Sequence, residues 1–176
     1  LVLGSWYLGS EIPFAQSTAD SLKNVISTAS EDTTKISALN TLAWELRYNK
    51  PDTAIYYSKQ ALTLADKAEW EKGIANSYRN LGVFNTIKGN YLFALDHYNK
   101  ALKIRKRQND KKGIAATLGN IGIVYRKQGD YPKALDYYFK ALKIGEELRD
   151  KNRIAVHLGN IGIVYEEQGN YPKALE

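Results

Sequence analysis

Residues 111–136 read KKGIAATLGNIGIVYRKQGDYPKALD and residues 151–176 read KNRIAVHLGNIGIVYEEQGNYPKALE, so the two stretches are identical at 18 of 26 positions. Residues 71–110 in turn match residues 111–150 at 18 of 40 positions, and a weaker copy occupies residues 31–70. Self-similarity at a fixed period is typical of a repeat architecture, in which each copy folds as one unit. The period is 40 residues, and the sequence contains three full copies and part of a fourth.

Each copy is predicted to form two helices joined by a short turn. In the third copy Ile114, Leu118 and Ile121 recur three or four residues apart, which indicates an amphipathic helix. Gly129 is suited to end that helix, and Pro132 is suited to the first turn of the next one because its missing N–H is not needed there. In the first copy the pattern of the first helix is displaced by one residue, which predicts a turn that is shorter by one residue.

Such helix pairs are expected to stack. One pair cannot cover both of its apolar faces, and burying a Leu or aromatic side chain is worth about 1.5–3 kcal/mol, so each pair should dock onto the next. A glycine recurs at one phase, as Gly82, Gly122 and Gly162. Glycine inside a helix costs about 1 kcal/mol relative to alanine, so its recurrence indicates a close contact between helices.

The pattern of the third copy is Leu118-x2-Ile121-Gly122-x2-Tyr125, followed by Ala134-x3-Tyr138. It resembles the tetratricopeptide repeat (TPR) family, and the likeness covers residues 31–176. The second copy departs from the pattern, with Asn85 in place of the first tyrosine. The repeat length is similar to that of the forty-residue TPRs of kinesin light chains, of G-protein regulators of spindle orientation, and of bacterial, Bacteroidetes-like, signalling proteins. The resemblance implies an all-α, right-handed superhelical solenoid of antiparallel helix pairs.

The resemblance also implies a concave groove, lined by the first helix of each pair, that binds a peptide or helix of a partner protein. An asparagine recurs there, and its amide can both donate to and accept from a peptide backbone. The alternative, which the sequence leaves equally open, is that these asparagines bond to neighbouring helices and fix the superhelix. We expect Gly119 and Gly159 to leave room for a ligand. The residues assigned to the groove are Asn40, Trp44, Arg47, Arg79, Asn80, Val83, Thr86, Asn120, Ile123, Arg126, Lys127, Asn160, Ile163, Glu166 and Glu167.

The charges of the groove residues predict a partner with an acidic part. Arg47, Arg79 and Arg126 favour acidic segments, whereas Glu166 and Glu167 reverse the sign at the far end. The lysines and asparagines of the clamp by which some TPR proteins hold chaperone C-termini are not found in register.

No catalytic site or cofactor is predicted. The chain has no cysteine, which excludes a disulfide scaffold, a thiolate zinc site and a cysteine nucleophile. His97 and His157 lie at different phases of different copies, without the carboxylates that a metal site needs, and we expect them at the surface or at the edge of the groove. We therefore predict a binding protein and not an enzyme.

A basic cluster lies between Lys100 and Lys112. It could meet nucleic acid or anionic lipid, or it could be the solvated end of a helix and the turn that follows. Because no aromatic residues are interleaved for base stacking, we expect the solvated helix end and no nucleic-acid partner. The net charge of +6 permits acidic partners without requiring them.

Residues 1–16 are apolar and small and precede a polar run, which is typical of the end of a secretory signal peptide with cleavage near Ala15 or Gln16. The alternative is an ordinary apolar segment that packs on a helix at residues 17–30. The first interpretation predicts an exported, periplasmic or membrane-associated extracytoplasmic protein, and the second allows a cytoplasmic one. No stretch is long enough for a complete membrane span, so contact with a membrane would need flanking segments.

Two functions follow from these features. The first is a scaffold that binds a partner polypeptide in the groove. The second is an extracytoplasmic sensory or regulatory input domain of a bacterial sensor kinase or transcriptional regulator, which sequence beyond Glu176 would reveal. The fourth copy has only six residues of its second helix, Tyr171–Glu176, so we also expect an exposed C-terminal face through which the chain could self-associate.

Overall fold

The computed structural model describes residues 13–30 and 32–175, and within these ranges the chain forms nine α-helices and no strand. The helices are joined by short turns and follow the predicted order of paired units. They are α1 (Pro13–Thr28), α2 (Thr33–Glu45), α3 (Pro51–Lys67), α4 (Glu71–Ile87), α5 (Tyr91–Arg107), α6 (Lys111–Lys127), α7 (Tyr131–Glu147), α8 (Lys151–Glu167) and α9 (Tyr171–Ala174).

The helices stack in one dimension and form an all-α solenoid. Each helix packs against the helices before and after it, and the first helices of successive pairs also touch, α2 with α4, α4 with α6, and α6 with α8. The second helices α3, α5 and α7 make no such contact with one another in the described part of the chain. The first helices therefore lie on the inner, concave side of the stack and the second helices on the outer side.

The core is a series of linked clusters between the pairs. Tyr98 and Tyr138, one on each of α5 and α7, are completely buried, and each ring lies against the recurring glycine of the preceding helix. Gly82 and Gly122 are thus positions of close helix contact, as the sequence predicts. Gly162 differs, because its nearest neighbour is the backbone oxygen of Ala174.

The turns within the pairs differ between the first copy and the others. The N–H of Lys50 donates to the carbonyl of Leu46, four residues back, at 2.8 Å. In the later copies the corresponding N–H reaches a carbonyl five residues back, and a glycine with φ of 72–77° precedes it. By the helix bounds, however, the first connection is longer, with five residues (46–50) against three in the later pairs, so the prediction of a turn shorter by one residue is wrong. The three left-handed glycines are Gly89, Gly129 and Gly169.

The N-terminal helix α1 begins at Pro13, so it includes the last four residues of the segment that the sequence assigns to a signal peptide. Residues 1–12 lie outside the described part of the chain, and the cleavage of residues 1–16 stays a prediction. Ile26 of α1 packs against the cluster around Ile36 and Leu39. Among the helices that the structure describes, none has the length and apolarity to cross a membrane.

Candidate binding groove

Two clefts on the concave side lie between successive first helices. The first cleft, of about 500 Å³, lies between α2 and α4, and the second cleft, of about 420 Å³, lies between α6 and α8. Each uses one face of its leading helix, at positions spaced three, four and seven residues from the first. These positions are Ser37, Asn40, Thr41 and Trp44 in the first cleft, and Ala116, Gly119, Asn120 and Ile123 in the second.

In the first cleft the asparagine side chains form hydrogen bonds with each other and do not point into the open cleft. Asn80 is 2 % exposed, and its Nδ2 donates to the backbone oxygen of Asn40 at 3.1 Å and to the Asn40 Oδ1 at 3.2 Å. The Asn40 Nδ2 donates to the Ser77 Oγ at 3.0 Å. These hydrogen bonds join α2 to α4. Asn80 therefore fixes one helix pair against the next, which is the structural role that the sequence left open as the alternative to ligand binding.

Two arginines lie over one tryptophan at the edge of the first cleft. The guanidinium carbons of Arg47 and Arg79 are 4.4 Å and 4.9 Å from the centre of the Trp44 ring. Arg47 donates from Nη1 to the Trp44 backbone oxygen at 2.6 Å, and Arg79 donates from Nη2 to the Asn80 Oδ1 at 3.0 Å. Burial lowers the pKa of Arg79. Both guanidinium groups are therefore held by aromatic and neutral oxygen partners.

Arg105, near the end of α5, is 5 % exposed, although its place in the basic cluster predicts a solvated side chain. Its Nη1 donates to the Gly113 backbone oxygen at 2.7 Å and to the Thr117 Oγ1 at 3.0 Å, and its Nη2 donates to the Asn76 Oδ1 at 3.1 Å. The prediction for Arg105 is wrong because the side chain extends inward and joins α4 to α6.

The remainder of the basic cluster is partly neutralised on the outer surface. Lys100 pairs with Asp96 at 2.7 Å, Lys111 pairs with Glu147 at 2.9 Å, and Arg107 pairs with Glu71. These exposed pairs are each worth less than about 1 kcal/mol, but they reduce the positive field of this surface.

The second cleft has open amides. Asn120 and Asn160 are partly exposed and line the cleft, and neither side chain forms a hydrogen bond with another described residue. Of the recurring asparagines, Asn120 and Asn160 are therefore the two that remain available to a ligand.

His157 forms part of the wall of the second cleft and is 4 % exposed, with no hydrogen-bond partner for its buried Nδ1. A Cβ on Gly119 would lie 2.8 Å from the His157 Cε1, so Gly119 makes room for the imidazole and not for a ligand. Gly159 has nothing within 4 Å of its Cβ position and does leave open space. Burial lowers the pKa of His157, and the positive charge of the nearby Arg153 lowers it further.

The cations of the second cleft and the C-terminal part of the groove have carboxylate partners. Arg126 pairs with Glu167 at 2.6 Å, and Arg153 pairs with Asp150 at 3.0 Å. Of the two acidic residues predicted to reverse the sign of the groove, Glu167 thus neutralises Arg126.

The remaining predicted groove residues are divided among three environments. Val83 and Ile123 are half-buried and pack on the core clusters of Tyr98 and Tyr138. Ile163 and Glu166 are exposed and line a C-terminal cleft of about 630 Å³ between α8 and α9. Thr86 is buried under Tyr98, with its Oγ1 donating to the Gly82 oxygen at 2.8 Å, so it does not line the groove. Lys127 is exposed.

Sequence reasoning missed the burial of Arg105 and His157, although a signal was present. The residues 40 positions before and after Arg105 are Ala65 and Gly145, both buried, and the residue 40 positions before His157 is the buried Thr117. Positions where other copies carry small buried residues are internal in every copy of a repeat. The large polar residues at these positions are therefore interior side chains.

Within the described ranges no group of three or more His, Asp or Glu side chains is arranged to hold a metal ion. What the groove offers is hydrogen-bond donors, stacked cations and partly exposed apolar side chains on a rigid concave surface. Such a surface can bind and orient a chain.

A stack of antiparallel helix pairs with a lined inner side defines a helical-repeat solenoid protein. The family model described as tetratricopeptide repeat matches residues 73–147 and, in an overlapping match, residues 113–176. The chain belongs to the tetratricopeptide repeat family.

Solved structures show the same fold. BtubC (BKLC) from P. vanneervenii has a TM-score of 0.74 at 21% identity over 94% of this chain and 69% of its own. A Rap protein complexed with competence and sporulation factor has a TM-score of 0.81 at 22% identity over 92% of this chain and 48% of its own. A signal transduction ATPase with a tetratricopeptide repeat sensor, from Pyrococcus horikoshii, has a TM-score of 0.78 at 22% identity over 91% of this chain and 25% of its own. No curated protein sequence matches significantly.

Proposed function

We propose that this chain is a protein–protein interaction scaffold that binds an extended segment or helix of a partner in its concave groove, and that it catalyses no reaction. The observation that carries the proposal is the pair of open amides, Asn120 and Asn160, on adjacent first helices of the second cleft. A surface side-chain amide that has no hydrogen-bond partner within the protein is free to form hydrogen bonds with a peptide backbone.

Apolar side chains beside these amides support the same function. Val156 is 59 % exposed and lines the second cleft, and Ile163 is 40 % exposed further along α8. Polar groups that fix direction beside apolar surface that supplies affinity are the usual components of a peptide-binding groove. The groove is also built on helices packed against the core, so little ordering entropy is lost on binding.

The experiment is a comparison of matched double variants of the whole chain. The partner is first recovered from native extract and purified, and its affinity is then measured by calorimetry for the unmodified chain, for N120A/N160A, and for N24A/N99A. The control removes two exposed amides that line neither cleft. We expect N120A/N160A to weaken binding about tenfold or more, since a hydrogen bond contributes about 1 kcal/mol, and N24A/N99A to leave it unchanged. Equal affinities of all three would refute groove binding.

A second function, a bacterial extracytoplasmic sensory input domain, is supported by two similar structures, a Rap protein complexed with competence and sporulation factor and a signal transduction ATPase with a tetratricopeptide repeat sensor. The starts of α4, α6 and α8 at Glu71, Lys111 and Lys151 support the forty-residue subtype. Sequencing of the gene past Glu176 should find a membrane span and a kinase or DNA-binding segment. N-terminal sequencing of the native protein should find residues 1–14 removed, and their retention would exclude export by cleavage.

We also propose self-association through the C-terminal cleft, where Leu158 and Leu175 are exposed. Exposed apolar surface of this kind favours contact with another chain. Sedimentation equilibrium should show a dimer that L158E converts to a monomer, and a monomer at all concentrations for the unmodified chain would contradict the proposal.

A further inference from the structure

We propose that the first cleft is a carboxylate-binding subsite, in which Arg79, assisted by Arg47, binds an acidic side chain of the partner polypeptide. This inference rests on the proposed function, because it names the chemistry of the segment that lies in the groove. It places an Asp or Glu of the partner beside the Trp44 ring, between α2 and α4.

The first observation is that Arg79 has no anionic partner. Its Nη2 donates to the neutral Asn80 Oδ1 at 3.0 Å, and its Nε is buried without any hydrogen-bond partner. Taking a guanidinium group out of water without a counter-charge is costly. Because the Arg79 side chain is only partly buried, a carboxylate in the cleft could accept from its Nη groups and supply the missing counter-charge.

The second observation is that the neighbouring cations add to the same unbalanced charge. Arg47 lies over the same Trp44 ring as Arg79, so two like charges are held close together. Neither arginine forms an ion pair with a described residue. No Asp or Glu is among the residues that line the first cleft. Like charges with no counter-ion raise the electrostatic potential of the cleft and attract an anion.

Arg105 extends this positive region from behind. Its Nη2 donates to the Asn76 Oδ1 at 3.1 Å, which leaves the amide N–H groups of Asn76 for the cleft that Asn76 lines. The carboxylate of Asp110 also acts on Arg105, and its Oδ1 already accepts the Gly113 N–H at 2.9 Å. The first cleft is thus lined by donors and backed by a buried cation.

In the second cleft and beyond it, the arginines of the groove are paired with carboxylates. Arg153 pairs with Asp150 there, and Arg126 pairs with Glu167 further along. Among the groove arginines, those without a carboxylate partner therefore lie at the first cleft, which predicts a local acidic residue of the ligand and not a uniformly acidic ligand.

A polypeptide fits this pattern better than a nucleic acid. Nucleic acids carry evenly spaced phosphates and bind along a continuous basic surface. Here the basic residues beyond the cleft, such as Lys100, Arg107 and Lys111, are engaged with carboxylates on the outer surface. One isolated basic cleft next to a groove with open amides matches one acidic side chain on a peptide.

The test uses the whole chain and two fluorescein-labelled peptides of about ten residues, one with a single central Glu among Ala and Ser residues and one with Gln in its place. Fluorescence anisotropy at low salt measures both affinities. We expect the Glu peptide to bind about tenfold more tightly than the Gln peptide, because charge-assisted bonds are about twice as strong as neutral ones. Equal affinity of the two peptides would overturn the proposal, as would tighter binding of an oligothymidylate that displaces the Glu peptide.

Two charge-matched double variants locate the effect. R47Q/R79Q removes two cations from the first cleft, and K103Q/K143Q removes two from exposed positions on α5 and α7. We expect the first to abolish the preference for the Glu peptide and the second to keep it within about twofold. Equal losses in both variants would mean that net charge alone attracts the peptide. Circular dichroism checks the fold, and R47Q alone serves if the double variant unfolds.

The outcome separates this inference from the proposed function. If N120A/N160A weakens the native partner while R47Q/R79Q does not change the Glu preference, the groove binds a polypeptide and the carboxylate subsite is wrong. If R47Q/R79Q abolishes the Glu preference while N120A/N160A leaves the native partner unaffected, the subsite exists and the asparagine pair is not the contact for the partner.

Discussion

The Tyr138 ring occupies the space that a side chain on Gly122 would need. A Cβ built on Gly122 falls 2.6 Å from the Tyr138 Cε1, and the same relation holds between Gly82 and Tyr98 at 2.5 Å. The α6–α7 and α4–α5 crossings are therefore close because glycine permits it, and the buried tyrosine fills the space above each one.

Replacement of Gly122 by alanine should destabilise the fold by about 1–3 kcal/mol, since the overpacked ring outweighs the helix propensity that alanine adds. Gly159 is the matched control on α8, where nothing lies within 4 Å of the Cβ position. G159A should raise the free energy of unfolding by about 1 kcal/mol. Urea denaturation of both variants measures the difference, and a stabilising G122A would show that the crossing is not tight.

The two buried tyrosines should respond differently to loss of the hydroxyl. The Tyr98 OH lies 3.3 Å from the Thr86 Oγ1, whereas the buried Tyr138 OH has no direct hydrogen-bond partner. Burial raises the pKa of Tyr138, and nearby Arg126 lowers it in part. We expect Y98F to cost about 0.5–1.5 kcal/mol of unfolding free energy and Y138F to be neutral or stabilising. Equal costs in thermal and urea unfolding would contradict this distinction.

Asn80 and Asn120 occupy the same position in successive copies, yet only Asn80 joins two helices. N80A removes both bonds to Asn40 and should lower the free energy of unfolding by about 1–3 kcal/mol. N120A should change it by less than about 0.5 kcal/mol. Urea unfolding of the two single variants compares them directly, and a costly N120A would mean that its amide also has a structural partner.

The stability of the fold should fall as the pH is lowered from about 7 to about 5. Burial lowers the pKa of both His97 and His157 in the folded chain, so the unfolded chain binds protons first as the pH falls through about 6.5. The stabilising effect of the two neutral imidazoles is present above that pH and is lost below it. Carboxylates with lowered pKa, such as Asp150, stabilise the fold throughout this pH range and lose that contribution only in more acidic solution.

Urea denaturation at about pH 7.5 and about pH 5.5 measures this loss. The variant H97Q/H157Q should show a smaller difference between the two conditions than the unmodified chain. An unchanged difference would show that the histidines titrate at the same pH in both states.

The periodicity of apolar residues was sufficient to predict the helix pairs and their stacking, because each copy repeats the same local contacts. The longer connection between α2 and α3 was not predictable from the shift of one residue in the first copy. The different roles of the asparagines were not predictable, because whether an amide has a hydrogen-bond partner depends on the residue opposite it. Asn80 faces Asn40 on α2, whereas Asn120 faces the open second cleft. Inward-facing Arg105 was missed because composition suggested a solvated helix end.

Photo-cross-linking in the native host distinguishes a groove ligand from a partner bound elsewhere. A benzophenone amino acid is placed at Ile123, which lines the second cleft, or at Phe139, which is 48 % exposed on the outer helix α7. If a polypeptide occupies the concave side, the Ile123 position should yield a discrete covalent adduct with the partner and the Phe139 position should yield none. Adducts from Phe139 alone, or equal adducts from both positions, would contradict binding in the groove.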